Sequence, residues 1–170
     1  LIFWPLGFLA LLHNRRAGKP PKVPAVSAWA VLSAAVFLSY FVRFRYDSPS
    51  GTPLAHFLGR PGEFVLYVLK YLGRPIINTE GCALAVGLIG LILFGVFSFL
   101  ALRDKSGKGR AFLPFILLGL YSIGCGLLTG IGRVGFGSAQ AMSGRYVPFS
   151  ALIWISNFAF LYALSQEIRT

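Results

Sequence analysis

The residues with the clearest capacity for chemistry stand in one short stretch, Gly130 to Ser150, which reads GIGRVGFGSAQAMSGRYVPFS. Glycines 130, 132, 135 and 137 permit a tight, irregular backbone there, and Arg133 and Arg145 bracket it. An arginine fork donates two parallel hydrogen bonds to a phosphate or carboxylate, and the low dielectric of a lipid interface strengthens them. With Tyr146 beside Arg145, and with Arg43 and Arg45 supplied by another loop, the pattern predicts an anion-binding face, to which Arg60 and Arg74 can add. Each arginine by itself has a plainer use. It can snorkel to the headgroups and hold a helix end beside Tyr40 and Tyr146 in an aromatic belt. Asp47, next to Arg43 and Arg45, is placed as a general base would be in a membrane glycosyltransferase that takes lipid-linked sugars. The simpler role for the same residue is a turn aspartate capping its own backbone.

Other chemistries are disfavoured. Gly130-Ile131-Gly132-Arg133-Val134-Gly135 matches GxGxxG, but a dinucleotide fingerprint needs a strand before the glycines and a helix after them, whereas an apolar helix precedes these. Cys82 and Cys125 are too few and too far apart for a structural metal site or a disulfide framework, so neither metal nor cofactor is expected. His56 has no Cys, Asp or second His near it in sequence, and no Ser-His-Asp order, HExxH or P-loop occurs.

The pattern formed by Gly132, Arg133, Gly135, Phe136, Gly137, Ala141, Arg145 and Tyr146, G-R-x-G-F-G followed by R-Y at the start of an apolar span, resembles a type of bacterial multi-span membrane protein with no established activity. Phe64 to Pro75, reading F-x-x-Y-x-L-x-Y-L-G-x-P, adds loose support. The resemblance covers the C-terminal two-thirds or so and implies a bacterial inner membrane.

The elements that must position these residues follow from hydropathy. The 170 residues are 56% hydrophobic and 12% charged, and the mean hydropathy is +0.71. Much of the surface must therefore face lipid. The sixteen Lys and Arg fall between long apolar runs, which marks them as topology signals and argues against nucleic acid as a partner. Uncharged runs predict spans at about 24–42, 82–102, 111–130 and 147–164, each near the twenty residues one crossing needs. Leu1 to Leu12 reads as the tail of a further span whose beginning precedes it, so a fragment of a longer chain is expected. The fold class is all-α, a polytopic transmembrane helix bundle in a single domain, with four full spans, that partial span and one interfacial helix.

Dense positive charge in HNRRAGKPPK and RDKSGKGR puts loops 13–22 and 103–110 in the cytoplasm, and alternation puts loops 43–81 and 131–146 outside a cell inner membrane. In the longer outer loop, Phe64, Val65, Val68, Leu69 and Leu72 recur at helical spacing between Pro61 and Pro75. This predicts a short amphipathic helix, either lying along the membrane surface or packed beneath a further domain. Ser122, Gly126 and Gly130 form a small-xxx-small repeat that lets another backbone approach closely, whether from this chain or from another subunit. Gly87, Gly90 and Gly95 do so less regularly. Ser98, Thr129 and Asn157 are the main polar groups within the spans and suit interhelical hydrogen bonds. No ionisable residue lies at membrane depth in the four spans, which disfavours a transporter or proton channel. Two functions remain. One is a non-catalytic structural or accessory subunit of a larger membrane complex, in contact with lipids and other transmembrane subunits. The other is part of an outer-leaflet enzyme acting on a lipid-linked phosphate, with Asp47 as base and Arg133 and Arg145 as clamps.

Overall fold

The computed structural model describes residues 23–41, 59–104 and 111–168; Arg43, Arg45, Asp47 and His56 lie outside them, as does the expected partial span at the N-terminus. The described residues are almost all helical, without a strand, and divide into two units. The first, Leu1–Asp47, carries α1 (Val23–Phe41), a 19-residue apolar helix at the position of the first expected span.

The second unit, Ser48–Thr170, carries α2 (Pro61–Gly73), α3 (Glu80–Arg103), α4 (Leu113–Arg133) and α5 (Val147–Ile168). Three helices, α3, α4 and α5, are long and apolar enough to cross a membrane. At 1.5 Å per residue the 24 residues of α3 extend about 36 Å, against a hydrocarbon core of about 30 Å. Helix starts are marked in the sequence. Pro61 and Pro114 occupy the first turns of α2 and α4, where a missing N–H removes no helical bond. Glu80 in the first turn of α3 and Arg103 and Arg133 in the last turns of α3 and α4 complement the helix dipoles.

Side-chain contacts fix the helix directions. Phe112 stacks on Phe160 at 5.1 Å, and Ser156 Oγ donates to the Phe115 carbonyl at 2.7 Å, so α4 and α5 run antiparallel. Phe97 also stacks on Phe160, at 5.6 Å, while Asn157 Nδ2 donates to the Gly90 carbonyl at 2.9 Å, so α5 runs parallel to α3. One end of the unit therefore gathers the start of α3, the end of α4 and the start of α5. The other end gathers Arg103 and the ring stack of Phe97, Phe112 and Phe160.

The expected amphipathic helix, read as lying along the membrane surface or packed beneath a further domain, packs against the other helices of this unit. Phe64, Tyr67, Val68, Tyr71 and Leu72 of α2 are buried against α3, α4 and α5, whereas Val65, which the periodicity assigned to the apolar face, is 53% exposed. The reason is the number of large residues. Tyr67 and Tyr71 complete an i, i+3, i+4, i+7, i+8 stripe with Phe64, Val68 and Leu72, and helices of this same chain cover it. Close approach of α2 to α3 depends on glycine. A methyl added at Gly73 would land on the Ala83 carbonyl, and one at Gly87 on the Leu69 carbonyl. Gly95, by contrast, faces open space and takes no part in packing.

Candidate functional site

The stretch from 134 to 146, expected as an irregular loop, is a chain of three short 3₁₀ turns, Val134–Phe136, Ser138–Met142 and Gly144–Tyr146. Gly137 joins the first two with φ 92° and ψ 152°, a conformation open essentially to glycine alone. Lys70 of α2 and Arg74, just past the end of that helix, hold the middle turn. Lys70 Nζ donates to Ser138 Oγ at 2.9 Å and to Glu80 Oε2 at 2.7 Å, and Arg74 Nε donates to the Met142 carbonyl at 2.8 Å. The Lys70 side chain is only 12% exposed and Glu80 52%, so the pair is largely shielded on one side and wet on the other. Sequence spacing could not show this clamp, because Lys70 and Ser138 lie 68 residues apart.

Both arginines of the stretch are exposed and rest on aromatic faces. The Arg133 guanidinium carbon is 5.7 Å from the Phe136 ring centroid, and that of Arg145 is 5.5 Å from the Tyr146 ring. Arg145 Nε also donates to Ser143 Oγ at 3.1 Å. Among the described residues neither has a carboxylate partner, because Glu63 pairs with Arg60 at 3.2 Å and Glu80 with Lys70. Thus Arg74 and Arg60, offered by the sequence as further anion contacts, have partners in the chain, Arg74 the Met142 carbonyl and Arg60, in an exposed pair, Glu63. Beside Arg145 the surface dips into an open depression of about 550 Å³ lined by Phe136, Ala139, Gln140, Met142, Ser143 and Arg145.

Beneath the arginines lies a group of tyrosines that the sequence reading passed over. Tyr67 is fully buried, and its hydroxyl lies beside Tyr146 without meeting the geometry of a hydrogen bond. Burial pushes the Tyr67 phenol up, and Tyr146 adds to this, while the charges of Arg133 and Arg145 both reach it and act in the opposite sense. Tyr71 is buried too, with its ring 5.9 Å from that of Tyr146, and its hydroxyl has no partner among the described residues. Desolvation pushes its phenol up as well. The signal for these residues was the 3–4 spacing with Phe64, which the sequence reading applied only to aliphatic neighbours.

Ser122, Gly126 and Gly130 are all buried. A methyl on Gly126 would meet the Tyr71 ring at 2.9 Å and one on Gly130 the Phe64 ring at 2.8 Å, while Ser122 Oγ donates to the Ser150 carbonyl at 3.4 Å. In this structure that face is filled by α2 and α5. Of the polar residues in the spans, Asn157 bonds across to α3, but Thr129 Oγ1 donates within α4 to the Cys125 carbonyl at 2.6 Å, and Ser98 Oγ is buried with no partner among the described residues. Interhelical bonds come also from Ser156 and from Trp154, whose Nε1 donates to the Leu72 carbonyl at 2.8 Å. Cys82 and Cys125 are both free thiols, and no cluster of metal-ligating side chains occurs among the described residues.

No protein family, curated protein or solved structure matches the chain. Its functional reading therefore rests on geometry. The three long apolar helices are those of a membrane-embedded protein.

Proposed function

We propose that the chain is a non-catalytic structural or accessory module of a larger membrane assembly, held at one end by lipid headgroups. One observation supports the reading: Lys70, Glu80 and Arg74, at the end that holds α2, work as scaffold. Lys70, Glu80 and Arg74 tie α2, α3 and the 3₁₀ turns together, and Arg60 and Glu63 pair with each other. A module that docks other helices needs a rigid body and an open apolar face. That face is the stripe of Leu88, Ile89, Ile92, Val96, Phe99 and Leu100 along α3, exposed over the length of the helix. Lipid tails can cover such a stripe as well as a partner helix can, so the decisive measurement is association in the native membrane.

A photo-crosslinking residue at Ile92 is expected to capture a discrete protein partner, and mild detergent to release a complex of fixed stoichiometry. A lone monodisperse chain that binds isoprenyl phosphates would instead support the second reading, an outer-leaflet enzyme for a lipid-linked phosphate with Asp47 as base. The open depression beside Arg145 is the observation in favour of that alternative. In either case the cell inner membrane, with 131–146 on its outer side, is the location we infer from the distribution of positive charge.

A further inference from the structure

The end of the second unit where α3 starts, α4 stops and α5 starts has a charge imbalance with a definite shape. Its acids among the described residues, Glu63 and Glu80, are both engaged by cations. Among the described residues Arg133 and Arg145 have no carboxylate partner, one lying on Phe136 at the wall of the 550 Å³ depression and the other lining it. The remaining lining is mixed, with Ala139 and Met142 apolar and Gln140 and Ser143 polar. Such a wall suits an amphiphile, whose charged group and glycerol backbone need polar contacts while its chains need apolar ones.

Position and rigidity add to this. In a bilayer spanned by these three helices their ends would mark the edge of the hydrocarbon, which puts residues 134 to 146 at headgroup height. The segment is also fixed before any ligand arrives, by the Lys70–Ser138 and Arg74–Met142 bonds behind it. Preorganisation of this kind reduces the ordering a bound group must impose. Stacking on an aromatic face leaves guanidinium N–H groups available to an anion, those of Arg145 apart from the Nε that donates to Ser143 Oγ.

We infer that the depression between Phe136 and Arg145 is a binding site for the phosphate of a membrane glycerophospholipid, clamped by Arg145 from within and by Arg133 from its rim. Gln140 and Ser143 supply further polar contacts, and Phe136 and Met142 receive the first carbons of the chains. The inference rests on the membrane embedding proposed above but not on any protein partner.

The test uses the full chain in mixed micelles, with bound lipid read by native mass spectrometry and phosphatidylglycerol offered against diacylglycerol, which lacks the phosphate. The wild type should retain phosphatidylglycerol at least about tenfold over diacylglycerol, and Arg133→Gln and Arg145→Gln should each reduce that preference about fivefold to tenfold, as expected for loss of one charge-assisted contact. Arg103→Gln is the control. Arg103 lies equally exposed on an aromatic ring, 4.4 Å from Phe99, at the opposite end, and its loss should change nothing. Equal retention of the two lipids by the wild type overturns the site without use of any variant. So does an undiminished preference in the Arg133→Gln/Arg145→Gln double variant. Displacement of the lipid by millimolar glycerol phosphate would make a soluble phosphate the ligand and overturn the lipid assignment. Flotation with vesicles separates the two levels: a wild type that fails to float removes the membrane reading and the site together, whereas one that floats without headgroup preference removes the site alone.

Discussion

Two residues show how local chemistry sets the limits of this fold. Gly137 holds φ 92° and ψ 152° between two 3₁₀ turns, and nothing lies within 4 Å of where a methyl would be added. Space is therefore no obstacle, and the cost of Gly137→Ala is backbone strain alone, about 1–3 kcal/mol. The expected result is a lower thermal midpoint in detergent with unchanged helical content, together with looser hydrogen-exchange protection in 134–146. Tyr71 shows the opposite case, a group with no backbone demand but a buried hydroxyl without a partner among the described residues. Tyr71→Phe should cost less than about 1 kcal/mol at neutral pH, because no hydrogen bond is lost. At alkaline pH the variant should do better than the wild type. The folded chain holds the Tyr71 proton above the ordinary phenol value through burial, while the unfolded chain gives it up near pH 10, so this contribution is intact below about pH 10 and is lost as the pH rises beyond it. Thermal midpoints measured between pH 8 and pH 12 should fall less steeply for Tyr71→Phe, and parallel curves would contradict this account.

At the scale of elements, the pairing of α2 with α3 is the most demanding contact in the second unit. The two helices meet through Gly73 against Ala83 and Gly87 against Leu69, each near enough that backbone carbonyls occupy the place of a side chain. A methyl at Gly87 has no flexible neighbour to displace, so Gly87→Ala must part the helices and should destabilise by about 1–3 kcal/mol or more, as overpacking does. Gly95→Ala, on the same helix but facing open space, should be neutral to mildly stabilising, because alanine is the better helix former. Thermal unfolding of the two variants side by side provides the check. Equal effects would show that the close approach is not what holds α2. The small residues of α3 were visible in the sequence, but the partition of Gly87 and Gly90 from Gly95 was not. A glycine spacing says that a backbone can come near and leaves open whether one does.

Over the whole molecule, the arrangement of ends makes a simple expectation. Cys82 is exposed near the start of α3, at the same end as Ala139, while Arg103 is at the other end. In sealed vesicles a membrane-impermeant maleimide should label Cys82 and an Ala139→Cys variant from one side and an Arg103→Cys variant from the other. Labelling of all three from one side would sink the spanning assignment of α3.

What the sequence determined by itself was the three long apolar helices α3, α4 and α5. An uncharged run of about twenty residues must bury its backbone hydrogen bonds inside a helix if lipid surrounds it, and that requirement is local. The ends at Glu80, Arg103 and Arg133 were legible to within a few residues for the same reason, since charge stops an apolar run. Only the tertiary structure decided where α2 goes, because Tyr67 and Tyr71 can be satisfied by a membrane surface or by a bundle, and the choice depends on grooves that other helices make. It alone decided which cations are tied across the fold. Lys70 and Arg74 carry the same charge as Arg133 and Arg145, and what makes the first two a clamp is the distance to Ser138, Glu80 and the Met142 carbonyl. Those distances arise from packing between segments far apart in the chain, and no spacing rule within one segment contains them.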